Sequence, residues 1–186
     1  MSKKHPIVAI IGQTNAGKSS LFNRLTRNNT AIVAREEGTT RDNVSGKVIW
    51  GDHIFQLVDT AGLKKPDDDF EASIQDQINE AIAAADLILL TVDGTKHMDQ
   101  KDIQMARDAL KSKKPVFLLV NKADLKGTLP IEEFQRTGIR NIKKVSAEHN
   151  IGINDLLEAI IENLPKVSGE IKEPDLKIAL IGRPNV

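Results

Sequence analysis

The residues best suited to chemistry stand near the start of the chain, where residues 7–21 read IVAIIGQTNAGKSSL. An apolar run stops at Gly12 and delivers Gly12-x-x-x-x-Gly17-Lys18-Ser19. A buried strand, a glycine-bounded loop and a helix opening at the lysine have the sequence form of a phosphate-binding loop. Consecutive backbone N–H groups must curl around a phosphate, so side chains are kept out of the turn, and the open helix N-terminus adds positive potential. Lys18 would reach the β- and γ-phosphates and the Ser19 hydroxyl would be a ligand of the accompanying magnesium. Read alone, the same residues could also be an ordinary strand-to-helix turn.

Three further groups begin where an apolar strand is expected to end. Asp59-Thr60-Ala61-Gly62 follows the strand at 53–58. The Asp59 carboxylate can face the magnesium through an intervening water, and Gly62 lets its N–H approach a γ-phosphate. By itself this stretch is as readily a polar turn. Asn121-Lys122-Ala123-Asp124 follows the strand at 115–120, and Ser146-Ala147 follows the strand at 142–145. A carboxylate at Asp124 accepts two hydrogen bonds, which suits the N1–H and exocyclic amine of guanine and leaves adenine unmatched. The Lys122 stem would lie against the base and the Ala147 N–H would meet the guanine O6. Any isolated Asn-Lys-x-Asp could equally be a hydrophilic turn capping a strand.

The elements that must hold these groups alternate along the chain. Apolar runs interleave with helical periodicity, which argues for a mostly parallel sheet covered on both faces. A helix after the loop carries Leu21, Phe22 and Leu25 on one face, and residues 28–43 have no period. Strands at 44–50 and 53–58 joined by Gly51-Asp52 read as an antiparallel hairpin at a sheet edge. Ser73 with Asp76 resembles a capping box opening a helix with Ile74, Ile78, Ile82 and Ala85 inward. Strands at 86–92 and 115–120 flank a helix at 99–111 with Ile103, Ala106 and Leu110 inward, and a short helix is expected near 131–135. The last helix has Ile153, Leu156, Leu157, Ile160, Ile161 and Leu164 at helical spacing and stops at Pro165. Ligands of open α/β sheets bind at the carboxyl ends of the strands, where all four motifs fall.

At 186 residues the chain suffices for one well-cored domain with a little left over. Its 26 basic and 26 acidic residues balance, which gives no case for bulk electrostatic binding to nucleic acid or membrane. Lys111, Lys113, Lys114, Lys143 and Lys144 read as solvated faces rather than an RNA site. Aromatic content of 3% leaves no base-stacking sheet. The absence of cysteine excludes disulfides and thiolate metal sites. No apolar stretch approaches a membrane span, so a cytoplasmic protein without a membrane partner is expected. Residues 166–176 look like a linker, and 177–186, KIALIGRPNV, restart the opening, with Gly182 on Gly12 and Asn185 on Asn15. A repeat of about one domain length is the mark of a tandem protein.

Taken in this order, the four motifs resemble those of the translation-factor-like GTPases. Asn15 in the loop and Gly38-Thr39-Thr40-Arg41-Asp42 are similar to the TrmE, Era and EngA branch. The restart points to the EngA family, also called Der, whose members serve large-ribosomal-subunit assembly with two successive G domains and a C-terminal KH-like domain. The resemblance covers residues 6–165 and the beginning of a second G domain at 177–186. It implies a three-layer P-loop G domain with about six strands, one of them an antiparallel edge strand. It also implies GTP and GDP as ligands with Mg2+ and K+, contacted by Gly12, Asn15, Ala16, Gly17, Lys18, Ser19, Ser20, Asp59, Gly62, Asn121, Lys122, Asp124, Ser146 and Ala147. Ser19, Thr40 and Asp59 would serve the magnesium and Asn15 the potassium, and catalysis would rest on Lys18, Thr40, Gly62 and Asn15. The implied partners are the second G domain, the KH-like domain and a large-subunit precursor. Leu63 stands where a water-orienting glutamine is expected, so hydrolysis should be slow and stimulated by potassium. A nucleotide-sensing module with negligible hydrolysis, gating a second G domain, is the alternative. An ATP-using kinase or transporter-type protein fits Asn121-Lys122-x-Asp124 poorly.

Overall fold

In a computed structural model of the chain, the described residues are 5–27, 44–60 and 70–165. Within them the chain forms β1 (Ile7–Ile11), α1 (Lys18–Arg27), β2 (Val44–Trp50), β3 (His53–Asp59), α2 (Phe70–Ala84) and β4 (Leu87–Asp93). It continues with α3 (Gln100–Lys111), β5 (Val116–Asn121), a 3-10 helix (Ile131–Thr137), β6 (Asn141–Lys144) and α4 (Ile153–Asn163).

The six strands form one sheet in the order β2-β3-β1-β4-β5-β6. Only β2 runs antiparallel, paired with β3 from Val44 opposite Asp59 to Trp50 opposite His53 across the two-residue turn. The expected edge hairpin is therefore present. β1 is apolar throughout, and β4 and β5 are apolar but for Thr91 and their last residues Asp93 and Asn121, because helices cover both of their faces. Their side chains alternate between two cores. Val8 and Ile10 join Leu21, Leu25, Leu156 and Ile160 under α1 and α4. Ala9 and Ile11 join Ile78, Ile82, Met105 and Ala106 under α2 and α3. β1 pairs with β3 on one side and β4 on the other. The order in which successive strands are added thus reverses around β1, which makes its carboxyl end the topological switch point where ligands of such sheets bind.

Two helical readings need correction. α2 begins at Phe70, so Ser73 and Asp76 lie inside the helix rather than at its cap. In α3 the inward residues are Asp102, Met105, Ala106 and Ala109, and Leu110 is exposed. Asp99 caps α3 through a reciprocal bond with Asp102, and that box turns the Asp102 carboxylate inward and sets the phase of the helix. No helix among the described residues is long and apolar enough to cross a membrane.

Candidate functional site

The phosphate loop leaves β1 at Gly12 and enters α1 at Lys18. A Cβ at Gly12, where φ is +145°, would lie 2.2 Å from the Thr91 carbonyl oxygen of β4. One at Gly17, with φ of +91°, would lie 2.1 Å from the Asn121 amide nitrogen. Both glycines are therefore demanded by the backbone's close approach to neighbouring strands. Asn15 is also left-handed, with φ of +65°, and its side chain is exposed at the loop tip.

Lys18 is 6% exposed and its Nζ donates to the Gln13 carbonyl at 2.8 Å, which holds the ammonium across the mouth of its own loop. Burial pulls the Lys18 pKa below the ordinary lysine value, and the nearby Asp59 carboxylate opposes that shift. A partly desolvated ammonium held by a backbone carbonyl is suited to exchange that partner for an anion. The Ser19 hydroxyl donates to Asp59 Oδ2 at 3.1 Å, and Asp59 is 3% exposed at the end of β3, beside Ile10 of β1. A hydroxyl and a carboxylate oxygen so close together form a hard-oxygen pair of the kind that fits magnesium.

The residues expected to read a base gather at the neighbouring strand ends. Asn121 is 2% exposed and spends its amide on protein groups. Its Nδ2 donates to the Ala16 carbonyl at 2.9 Å, and its Oδ1 accepts from the Ala147 N–H at 3.1 Å. The Ala147 N–H expected at a base oxygen is thus directed to Asn121, because a buried amide must be satisfied on both sides. Asn121 joins the phosphate loop to the Ser146-Ala147 loop. Lys122 Nζ pairs with Asp93 Oδ2 at 2.6 Å. Burial would raise the Asp93 pKa, but bonds from Lys122 and Thr95 outweigh it and hold the carboxyl below its usual range. The Ser146 hydroxyl hydrogen-bonds the Asp124 carboxylate and His149 Nε2 lies 3.5 Å away, so Asp124 also sits below the usual carboxylate pKa.

Gly12, Asn15, Ala16, Gly17, Lys18, Ser19, Ser20 and Asp59 therefore gather around the loop, and Asn121, Lys122, Asp124, Ser146 and Ala147 around the next strand ends. Thr40, Gly62 and Leu63 lie outside the described residues. Beside the loop a cavity of about 150 Å³ reaches Asn15, Ala16, Asp93 and Asp99. A larger hollow of about 400 Å³ lies between the C-terminal ends of α2 and α3 and holds none of the motif residues. Sequence reasoning missed Asp93, although it ends an apolar strand as Asp59 does. It also missed Gln13, whose Nε2 donates to Asp99 Oδ1 at 2.7 Å, and Arg24, neither of which carries a local sequence signal.

A glycine-cradled lysine at the switch point of this sheet, with Asp59 beside Ser19, defines the P-loop nucleotide-binding class of domain. The sequence model of one family of that class, described as 50S ribosome-binding GTPase, matches residues 7–122, and the chain belongs to that family. Within it the chain resembles the EngA (Der) GTPases. It is 39% identical to GTPase Der of Desulforudis audaxviator, over 97% of this chain and 42% of that protein. Identity to GTPase Der of Heliobacterium modesticaldum is 44%, again over 97% and 42%. The chain spans about 42% of the length of these relatives. Among solved structures, Aquifex aeolicus Era bound to GDP and AlF4− matches with a TM-score of 0.70 at 30% identity, over 96% of this chain and 62% of that one. Era in complex with MgGDPNP and a segment of 16S ribosomal RNA matches with a TM-score of 0.70 at 29% identity, over 93% and 61%.

Proposed function

We propose that the chain is the first GTP-binding and GTP-hydrolysing switch domain, spanning residues 6–165, of a tandem-G-domain GTPase that acts in large-ribosomal-subunit assembly. One observation carries the nucleotide reading. The phosphate-end residues Lys18, Ser19 and Asp59 and the base-end residues Asn121, Asp124 and Ser146 occupy adjacent strand ends and are tied together by the Asn121 amide. The ribosomal role is supported by the family and by the Der relatives. The tandem arrangement is supported by the share of those relatives that the chain spans and by the restart at 177–186, which lies outside the described residues.

In this reading Lys18 releases the Gln13 carbonyl and engages the terminal phosphates. Ser19, Asp59 and Thr40 hold magnesium, which supplies charge neutralisation across the phosphates when bound. The loop N–H groups and that of Gly62 stabilise charge developing on the phosphate oxygens. Asp124 reads the N1–H and exocyclic amine of guanine, while Asn121 and Ser146 keep the base end registered on the loop. With Leu63 in place of a water-orienting glutamine, Asn15 supports turnover by holding potassium against the phosphates. Its exposed position at the loop tip, in a left-handed conformation, is compatible with that task.

The test is GTP turnover in potassium against sodium at matched ionic strength, for the wild type and Asn15→Ala. Faster turnover in potassium, lost on substitution, is expected. Equal and negligible rates in both salts, with GDP and GTP still tightly bound, would replace hydrolysis by the nucleotide-sensing module.

A further inference from the structure

Arg24 lies one and a half turns into α1 and is half-buried. Its Nε donates to the Ala147 carbonyl at 2.7 Å and its Nη2 to the Glu148 carbonyl at 2.5 Å. Ala147 is therefore held at both of its peptide groups, its N–H by Asn121 and its C=O by Arg24. The loop they hold is already closed on itself. Ser146 and Ile151 exchange backbone bonds of 3.0 and 3.1 Å, and the His149 N–H donates to Ser146 Oγ at 3.1 Å. Arg24 ties this closed loop to α1, and Asn121 ties it to β5 and the phosphate loop. α1 starts directly at the end of the phosphate loop, so its axis reports where the phosphates sit.

We infer that Arg24 is a positioning residue for base recognition: it fixes the Ser146–Glu148 loop on α1 and so sets the distance between the base end and the phosphate end of the nucleotide site. The inference rests on the guanine-nucleotide reading of that site. Arg24 acts through the loop and does not touch the nucleotide. Movement of the loop carries Ser146 with it, and Ser146 is the hydrogen-bond partner of Asp124. Loss of Arg24 therefore loosens the pairing with the exocyclic amine of guanine. A guanidinium suits two successive carbonyls because its donors are fixed in a planar fork, whereas a lysine offers one compact point of charge.

The experiment measures dissociation of GDP and IDP from wild type, Arg24→Ala, Arg24→Lys and Thr26→Val, with thermal unfolding of each. IDP lacks the exocyclic amine and so isolates base reading. Arg24→Ala is expected to release GDP at least tenfold faster, to lower the GDP-to-IDP preference, and to change kcat at saturating GTP less than twofold. Arg24→Lys, which keeps the stem and charge, recovers part of the loss and guards against a simple folding defect. Thr26→Val alters the same helix away from the loop and leaves the preference unchanged. If wild type discriminates GDP from IDP and both Arg24 variants keep its release rate and preference, the inference is overturned. A wild type that binds no guanine nucleotide would overturn the site reading itself, and that outcome is visible before any variant is made.

Discussion

A carboxylate that is to read a base has to be ionised and held in one orientation, and Asp124, proposed for that role, obtains both from its surroundings. The Ser146 hydroxyl bonds it and His149 stands beside it, which together keep its pKa below the usual range. The folded-state pKa is depressed, so this contribution to stability is fully present above the ordinary Asp value of about 3.9 and is lost as pH falls through the lower folded value. The urea midpoints of wild type and Asp124→Asn should therefore converge as pH falls from about 5 toward 3. At neutral pH the same substitution presents an amide N–H where guanine also presents one. GDP affinity should fall at least tenfold, since a hydrogen bond to a charged group contributes roughly 1.5–3 kcal/mol. Binding of the xanthine nucleotide, which carries a carbonyl at that position, should rise. Competition titrations with GDP and XDP check both, and unchanged preference would remove Asp124 from base reading.

At the level of elements, the phosphate loop is braced from its outer side by α3. Asp99 accepts from the Asp102 N–H at 3.0 Å as a helix cap and from Gln13 Nε2 at 2.7 Å, while Gln13 offers its carbonyl to Lys18. Asp99→Ala should cost about 1 kcal/mol from the lost cap. Gln13→Ala added to it should cost less than it does alone, because the two residues share one bond. Full additivity in a urea-unfolding double-mutant cycle would show that they do not cooperate. These braces also mark where the sequence stops being legible. Strands β1, β4 and β5 announce themselves because a strand buried on both faces is a largely continuous apolar run, and the motifs at Gly12 and Asn121 are legible because they start where the runs of β1 and β5 stop. The beginning of α2 was misread because Ser73 and Asp76 have capping-box spacing although the helix reaches back to Phe70. Leu110 was placed inward because hydrophobicity alone cannot reveal that the Asp99–Asp102 box turns a charged residue into the interior. Pairings such as Arg24 to Ala147, 123 residues apart, and Asn121 to Ala16, 105 apart, have no local signature at all.

For the molecule as a whole, the sheet order is what converts separated motifs into one site. Placing β1 between β3 and β4 brings Asp59 to the loop from one side, and β5 brings Asn121 from the other. The residues proposed to read phosphate and base then stand on strand ends that cannot move apart without breaking the sheet, and the helical layers on both faces exclude water from beneath the loop. Such a frame suits the proposed switch, because the sheet holds the binding floor fixed. In the proposed reading this floor turns over GTP and selects it by its base. The decisive measurement is multiple-turnover phosphate release from GTP and from ATP at equal concentration, by wild type and by Lys18→Ala. The expected result is sustained release from GTP alone, reduced at least 100-fold by Lys18→Ala, on the scale of removing one group that stabilises transition-state charge. Release from ATP at a comparable rate, or release from GTP that survives Lys18→Ala, would contradict it.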